Sequence, residues 1–139
     1  MNEITEMEAI ESVRKFFNLE STITGSAIRV INLQNKGNDY FLVIFGDDKA
    51  SVAVAAIESK NAALKTWARL PGTTIHLTIN KEKALELCHS NKNVLVEMVW
   101  EPGTLSRSQL YPIWKIYNFP AIKYVNQQGV VSESPGRIN

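Results

Sequence analysis

The chain has 139 residues, with 15 Lys and Arg against 14 Asp and Glu and a hydrophobic fraction of 45%. This length and composition fit one ordinary globular domain or two very small ones. The net charge of +1 argues against a nucleic-acid-binding protein, whose basic residues must displace counterions from phosphates. The single cysteine, Cys88, excludes an internal disulfide and the multi-cysteine zinc patterns.

The N-terminal sequence contains no basic segment followed by an apolar one, so we expect no secretory signal. The longest apolar run, Val52 to Ile57, is far shorter than the roughly 20 residues needed to cross a bilayer. We therefore expect a soluble, cytoplasmic protein that does not associate with membranes.

The first predicted element is a helix that begins after Thr5. Thr5 and Glu8 have the spacing of a capping box, in which each side chain binds a backbone N–H of the other residue. The helix should end near Asn18 or Leu19. Its apolar residues fall at helical spacing on one face; they are Ala9, Ile10, Val13, Phe16 and Phe17.

Four strands are predicted to follow this helix. Turn residues separate β-branched and aromatic runs, which lie at Ile28 to Leu33, Tyr40 to Phe45, Ser51 to Ile57 and Leu64 to Leu70. The last of these is ambiguous, because the good helix formers of Asn61 to Arg69 also allow a helix over Ser59 to Leu70.

The second half begins again with a helix, for which Asn80 is the predicted N-cap. Pro112 must avoid a central position in the sheet, since proline cannot donate a backbone hydrogen bond. Gly129 should take a positive φ in the turn between the last two strands. The predicted strands are Val94 to Trp100, Leu110 to Tyr117, Ala121 to Asn126 and Val130 to Ser134.

Both halves therefore read as a helix followed by four strands. Aligning "YFLVIFGD" from Tyr40 with "YPIWKIYN" from Tyr111 supports an internal duplication, although few residues are identical. The predicted fold class is α+β, built from two helix-plus-antiparallel-sheet repeats. The first repeat, a helix and a meander, would span residues 1–72 and the second residues 73–139.

These residues also suggest a family. A helix followed by an antiparallel meander, with the strand–turn–strand "YVNQQGVV" around Gly129, resembles a PepSY-like or cystatin-like unit, and two units in tandem would span Thr5 to Ser134. Asn61 stands where the first unit would be expected to have glycine. The resemblance implies a non-catalytic module that binds or restrains a peptidase or another protein partner, and it implies no set of functional residues.

The residues that could carry chemistry have simpler structural explanations. Adjacent Cys88 and His89 would diverge by about 100° on a helix and so would not form a nucleophile–base pair. His76 and His89 lack further ligands at metal spacing. Asp39, Asp47 and Asp48 are typical turn aspartates and lack the pattern of a calcium loop. We therefore predict no enzyme activity, no metal and no cofactor.

Aromatic residues concentrate between Tyr111 and Tyr124. On a strand from Leu110, Trp114 would lie on one face, with Tyr111 and Tyr117 beside Lys115 on the other. These rings either belong to a covered core or form a binding surface, since aromatic side chains are enriched at interfaces. Tyr111, Trp114 and Tyr117 are the predicted partner-binding residues.

The predicted function is that of a non-enzymatic interaction or regulatory module with a protein partner, and a homodimer is possible. The alternative is a small-molecule-binding protein with a pocket between the helix and a curved sheet. An enzyme that uses Cys88 or a histidine is a third and weaker possibility.

Overall fold

The computed structural model describes residues 3–136, which form two helices and eight strands. In chain order these elements are α1 (Glu6–Phe17), β1 (Gly25–Asn32), β2 (Tyr40–Gly46), β3 (Ser51–Glu58), β4 (Leu64–Arg69), α2 (Lys81–Leu87), β5 (Leu95–Trp100), β6 (Ile113–Asn118), β7 (Ala121–Val125) and β8 (Val131–Ser132). The combination of helices and a sheet with mostly antiparallel neighbours belongs to the α+β class, as predicted.

The predicted pair of helix-plus-antiparallel-sheet repeats is wrong. The strands follow one continuous order, β4-β3-β2-β1-β5-β6-β7-β8, and β1 pairs with β5 in parallel, so the sheet is mixed. The helices also differ, since α1 has 12 residues and α2 has 7. Alternating strand patterns look alike whatever their neighbours are, which is why the alignment of the two halves suggested a duplication.

Contacts divide the chain into two compact units. The first contains the chain up to Arg29 together with Asn35–His76, and the second contains Val30–Gln34 and the chain from Leu77 onward. β1 therefore supplies its beginning to the first unit and its end to the second. The domain boundary between residues 72 and 73 stays a prediction.

The first unit contains α1, whose ends are those that the sequence predicts. The Thr5 hydroxyl accepts a hydrogen bond from the backbone N–H of Glu8, the Glu8 carboxylate accepts one from the N–H of Thr5, and Asn18 caps the other end in a left-handed conformation. The helix packs on one face of the sheet through a core that comprises Ala9, Ile10, Val13, Phe17, Phe41, Val43, Phe45, Ala53, Ala55 and Ile57.

The other face of the same sheet is also buried. Four residues of β2 and β3 that point to it have no solvent exposure at all, namely Tyr40, Leu42, Val54 and Ala56, whereas Ile44 on the same face is partly exposed. Two buried faces explain why β2 and β3 read as nearly continuous apolar runs instead of alternating with polar residues.

The second unit contains α2 and the shorter strands. The Asn80 side chain caps α2 by accepting a hydrogen bond from the N–H of Lys83, as predicted. Ala84 and Leu85 of this helix pack on Ile116 and Val125 of the sheet. Gly129 has the predicted positive φ, 82°, in the turn that joins β7 to β8.

The structure decides three sequence-based predictions about single elements. Residues 64–69 form a strand, so the competing helix over Ser59 to Leu70 is wrong. β6 begins at Ile113 and not at Leu110, which leaves Pro112 outside the ladder. Phe16, predicted to lie on the apolar face of α1, is 44% exposed, because the buried stripe of this helix runs through Val13 and Phe17.

Neither described helix is long and apolar enough to span a lipid bilayer.

Candidate functional site

The three predicted partner-binding residues do not form one surface. Tyr111 lies in the turn before β6 and is exposed. Trp114 and Tyr117 both lie on β6, but an odd separation along a strand places their side chains on opposite faces. Trp114 packs with the α2 core, and its indole Nε1 donates a hydrogen bond of 2.7 Å to the carbonyl oxygen of Ile79. Trp114 therefore holds the second unit together on the helix-covered face.

Tyr117 belongs to a polar cluster on the face opposite α2. Its hydroxyl donates a hydrogen bond of 2.5 Å to Oε1 of Glu97. The Lys115 ammonium lies 4.7 Å from the centre of the Tyr117 ring and 5.8 Å from that of Tyr124, so it is held by two cation–π contacts. β6 contributes Lys115 and Tyr117, while Glu97 comes from β5 and is the cross-strand partner of Lys115.

The surroundings of Tyr117 and Lys115 raise the pKa values of both groups. Burial raises the pKa of Tyr117, and its hydrogen bond to Glu97 raises it further. Burial alone would lower the pKa of Lys115, but the hydrogen bond with Tyr117 and the nearby acidic groups raise it above its ordinary value. Both groups therefore keep their protons near neutral pH. These contacts fix the position of Tyr117 on the sheet face.

Apolar side chains surround Tyr117 at the end of this face. Leu95 and Ile122 are its cross-strand neighbours on β5 and β7. Phe119, in the turn between β6 and β7, lies 6.1 Å from Tyr117 between ring centres. Leu95 is 61% exposed and Phe119 is 72% exposed. We call Leu95, Tyr117, Phe119 and Ile122 the Tyr117 patch. Contiguous exposed apolar residues of this kind mark binding surfaces more often than isolated ones do.

A second exposed aromatic surface lies in the first unit, between α1 and β4, and was not predicted. The rings of Phe16 and Trp67 meet edge to face at 4.9 Å, and Trp67 is 50% exposed. Arg69 lies beside them, with its guanidinium 5.2 Å from the ring centre of Phe17 and its Nη2 donating to the Phe17 carbonyl oxygen at 2.8 Å. With Ala68, these residues line an open groove of about 410 Å³.

The sequence contains only part of the signal for this groove. Phe16 follows the apolar period of α1, so its exposure cannot be read from spacing. Trp67 lies in a segment whose sequence allows a strand or a helix, and nothing local indicates that Phe16 is its neighbour. Their meeting depends on the angle at which α1 crosses the sheet, which is a tertiary property.

A charged depression lies elsewhere in the first unit. Arg29 pairs with the carboxylates of Glu3 at 3.0 Å and Asp39 at 3.4 Å. The buried Ser59 hydroxyl lies 2.5 Å from Oε2 of Glu3, and this hydrogen bond, followed by that of Arg29, lowers the pKa of Glu3. With Gly37 and Lys60, these charges line a depression of about 240 Å³. The charges largely satisfy each other, so a ligand would have to compete with existing ion pairs.

Burial and hydrogen bonding account for Cys88 and Asp47. Burial raises the pKa of the Cys88 thiol, which is the opposite of what a thiolate nucleophile requires. Asp47 accepts hydrogen bonds from the N–H groups of Lys49 and Ala50, both at 2.8 Å, so it is a turn aspartate as predicted. Within residues 3–136, no three His, Cys, Asp or Glu side chains are grouped so that they could hold a metal ion.

Comparisons with protein-family models, with curated proteins and with solved structures find no match to this chain.

Proposed function

We propose that this protein is a non-enzymatic interaction module and that the Tyr117 patch is its partner-binding surface. The observation that supports this most directly is the exposure of Leu95 and Phe119 on either side of Tyr117. Removing the exposed part of each of these large apolar side chains from water would contribute on the order of 1–3 kcal/mol to the free energy of binding. Their exposure therefore favours an interface at this position.

The surroundings of Tyr117 also support an anchor role. Glu97 and Lys115 hold the ring in one position, so little side-chain entropy remains to be lost when a partner covers it. Tyrosine residues held in this way are common among the few residues that dominate the energy of an interface.

The partner is proposed to be a protein, met in the cytoplasm, and the PepSY-like resemblance makes a peptidase the first class to try. A second copy of the chain is the competing occupant. The alternative of a small-molecule pocket between helix and sheet is less favoured, because Ala9, Val13 and Phe17 of α1 pack directly on the sheet and fill that space.

The test begins with affinity capture from a lysate of the source organism and continues with the purified partner. Phe119→Ser and Tyr117→Ala should each weaken its binding by at least about thirtyfold, the loss expected when an anchor residue is truncated. Tyr111→Ala, which removes another exposed tyrosine of the second unit from outside the patch, is the matched control and should bind normally.

Circular dichroism would establish that each variant is folded. Equal binding by the Phe119 and Tyr117 variants and the parent protein would contradict the proposal, as would a loss of binding confined to Tyr111→Ala. Sedimentation of the purified protein tests whether a second copy of the chain occupies the patch instead of another protein. A dimer that Phe119→Ser dissociates would assign the patch to a second copy.

A further inference from the structure

The groove between α1 and β4 lies beside an open sheet edge. β4 is the terminal strand of the order and pairs antiparallel with β3 through the register Ala55↔Trp67. A terminal strand presents one row of backbone N–H and C=O groups away from the sheet, and these groups can pair with a further strand.

The residues that carry this outward row can be identified. The N–H of Leu70 donates to the carbonyl oxygen of Val52 on β3. Hydrogen bonding alternates along an antiparallel strand. Ala68, two residues before Leu70, therefore also directs its backbone groups to β3, whereas Trp67 and Arg69 direct theirs away from it.

The same two residues supply side chains to the groove. Trp67 and Arg69 are paired with Ala55 and Ala53, both of which belong to the core beneath α1, so their side chains lie on the helix side of the sheet. A strand added at this edge would place one residue opposite Trp67 and Phe16. The residue two positions along the added strand, on the same face, would lie opposite Arg69.

Arg69 defines the charge of what can bind. Arg69 takes part in none of the ion pairs found within residues 3–136. Its hydrogen bond to the Phe17 carbonyl oxygen comes from Nη2, which leaves other N–H groups of the guanidinium to bind a carboxylate. An arginine next to exposed aromatic rings thus matches an acidic side chain next to an apolar one.

We propose that the β4 edge binds an extended peptide segment by strand addition, with an apolar side chain of the peptide on Trp67 and Phe16 and an acidic side chain, two residues away, on Arg69. This site lies in the first unit and is distinct from the Tyr117 patch, so it goes beyond the proposed function and does not depend on it. Backbone hydrogen bonds would supply affinity, and the two side chains would supply specificity.

A second copy of this chain fits the same edge poorly. β4 contains two basic residues and no acidic one, so a second β4 strand at this edge would offer Arg69 no carboxylate. The charge pattern therefore selects an acidic segment over the chain's own edge.

The test uses a short threonine-rich fluorescent peptide, blocked at both ends, with a phenylalanine and a glutamate separated by one residue. Fluorescence anisotropy should show saturable binding to the full chain. Arg69→Gln should weaken it about tenfold or more, because it removes a charge-assisted hydrogen bond. Trp67→Ala should weaken it at least as much. Val130→Ala, an exposed apolar truncation in the other unit and outside the Tyr117 patch, is the control and should leave the affinity unchanged.

Peptide variants separate strand addition from binding in the groove alone. Replacing the glutamate by glutamine should reduce the affinity for the parent protein but not for Arg69→Gln. N-methylation of the peptide amides that face β4 should abolish binding, because it removes backbone donors while leaving the side chains in place.

Several outcomes would overturn the proposal. Equal affinities for the methylated and unmethylated peptides would assign the groove to small acidic ligands. Equal affinities of the parent and Arg69→Gln proteins for the peptide would show that Arg69 does not bind its glutamate. A concentration-dependent dimer that Trp67→Ala dissociates would assign the edge to a second copy. Absence of saturable binding at millimolar peptide would show that the edge does not accept a strand.

Discussion

The two units use their sheet faces differently. In the first unit both faces of β2 and β3 are almost entirely buried, and these two strands carry almost only apolar residues. In the second unit α2 covers one face, while the other presents Lys115, Tyr117 and Glu97 together with exposed apolar residues. A sheet with two buried faces has little choice of residue, whereas a partly open face can carry binding side chains. We therefore expect a protein partner to bind the open face of the second unit and an extended peptide to bind the β4 edge of the first unit.

The largest effects should come from matched truncations in the two cores. Ile57 in the first unit and Ile116 in the second are both fully buried. Replacing either by alanine should lower the free energy of unfolding by about 2–5 kcal/mol, through lost burial and the cavity left behind. Urea denaturation followed by circular dichroism measures both. A cost for Ile116→Ala below about 1 kcal/mol would show that the core under the short helix α2 relaxes around a cavity, and that the two units are packed unequally.

The helix caps should give intermediate effects. Thr5→Ala removes a capping box and Asn80→Ala removes a single cap bond, and loss of an N-cap typically costs about 1 kcal/mol. The Thr5 substitution should cost more, because α1 anchors the larger core and its cap involves reciprocal hydrogen bonds. Thermal unfolding of the two variants makes the comparison. An equal or larger loss for Asn80→Ala would show that the short helix depends on its cap more than the long helix does.

The smallest effect should be the pH dependence contributed by Glu3. Its pKa lies below the ordinary value of 4.5, chiefly because of the Ser59 hydroxyl and then Arg29. An acid whose pKa is lower in the folded state stabilises that state above its unfolded pKa and loses this contribution as the pH falls through the folded value. Glu3→Gln should therefore lower the stability slightly at neutral pH, where the contribution is fully present, and flatten the decline of stability below pH 4.5. The carboxylate is exposed, so the change should be small and should shrink further in high salt. An identical decline with and without Glu3 would show that this ion pair does not contribute to acid unfolding.

How much of the fold was predictable depended on whether the signal was local. The capping box of Thr5 and Glu8, the cap at Asn80 and the positive φ of Gly129 follow from a few neighbouring residues, and all three are present. The two strands between Tyr40 and Glu58 are also apparent in the sequence, since each is a run of β-branched and apolar residues bounded by turn residues. Local chemistry acts over a few positions, which is also the range that sequence reasoning covers reliably.

The remainder depends on contacts between distant residues. No local sequence feature of Ile31 or Val99 predicts that β1 and β5 are parallel neighbours. Without knowledge of that pairing, two halves with similar strand patterns look like repeats. The candidate sites show the same limit. The density of aromatic residues in the sequence indicates Tyr117, but only cross-strand pairing places Leu95 beside it. Likewise, only the packing of α1 on the sheet brings Phe16 into contact with Trp67. Composition indicates which residues could form a surface, and the register of the sheet decides which of them do.

The pairing of β1 with β5 also bears on how the chain can be divided and made. During synthesis β1 leaves the ribosome long before β5 and is followed by three strands and a helix, so this parallel contact closes late, whereas the hairpins of the first unit can close as they emerge. A fragment that begins after His76 would lack Val30–Gln34 and with it the strand against which β5 lies. The second unit is therefore discontinuous along the gene, and expressing it alone would require a permuted chain in which residues 30–34 are rejoined to it.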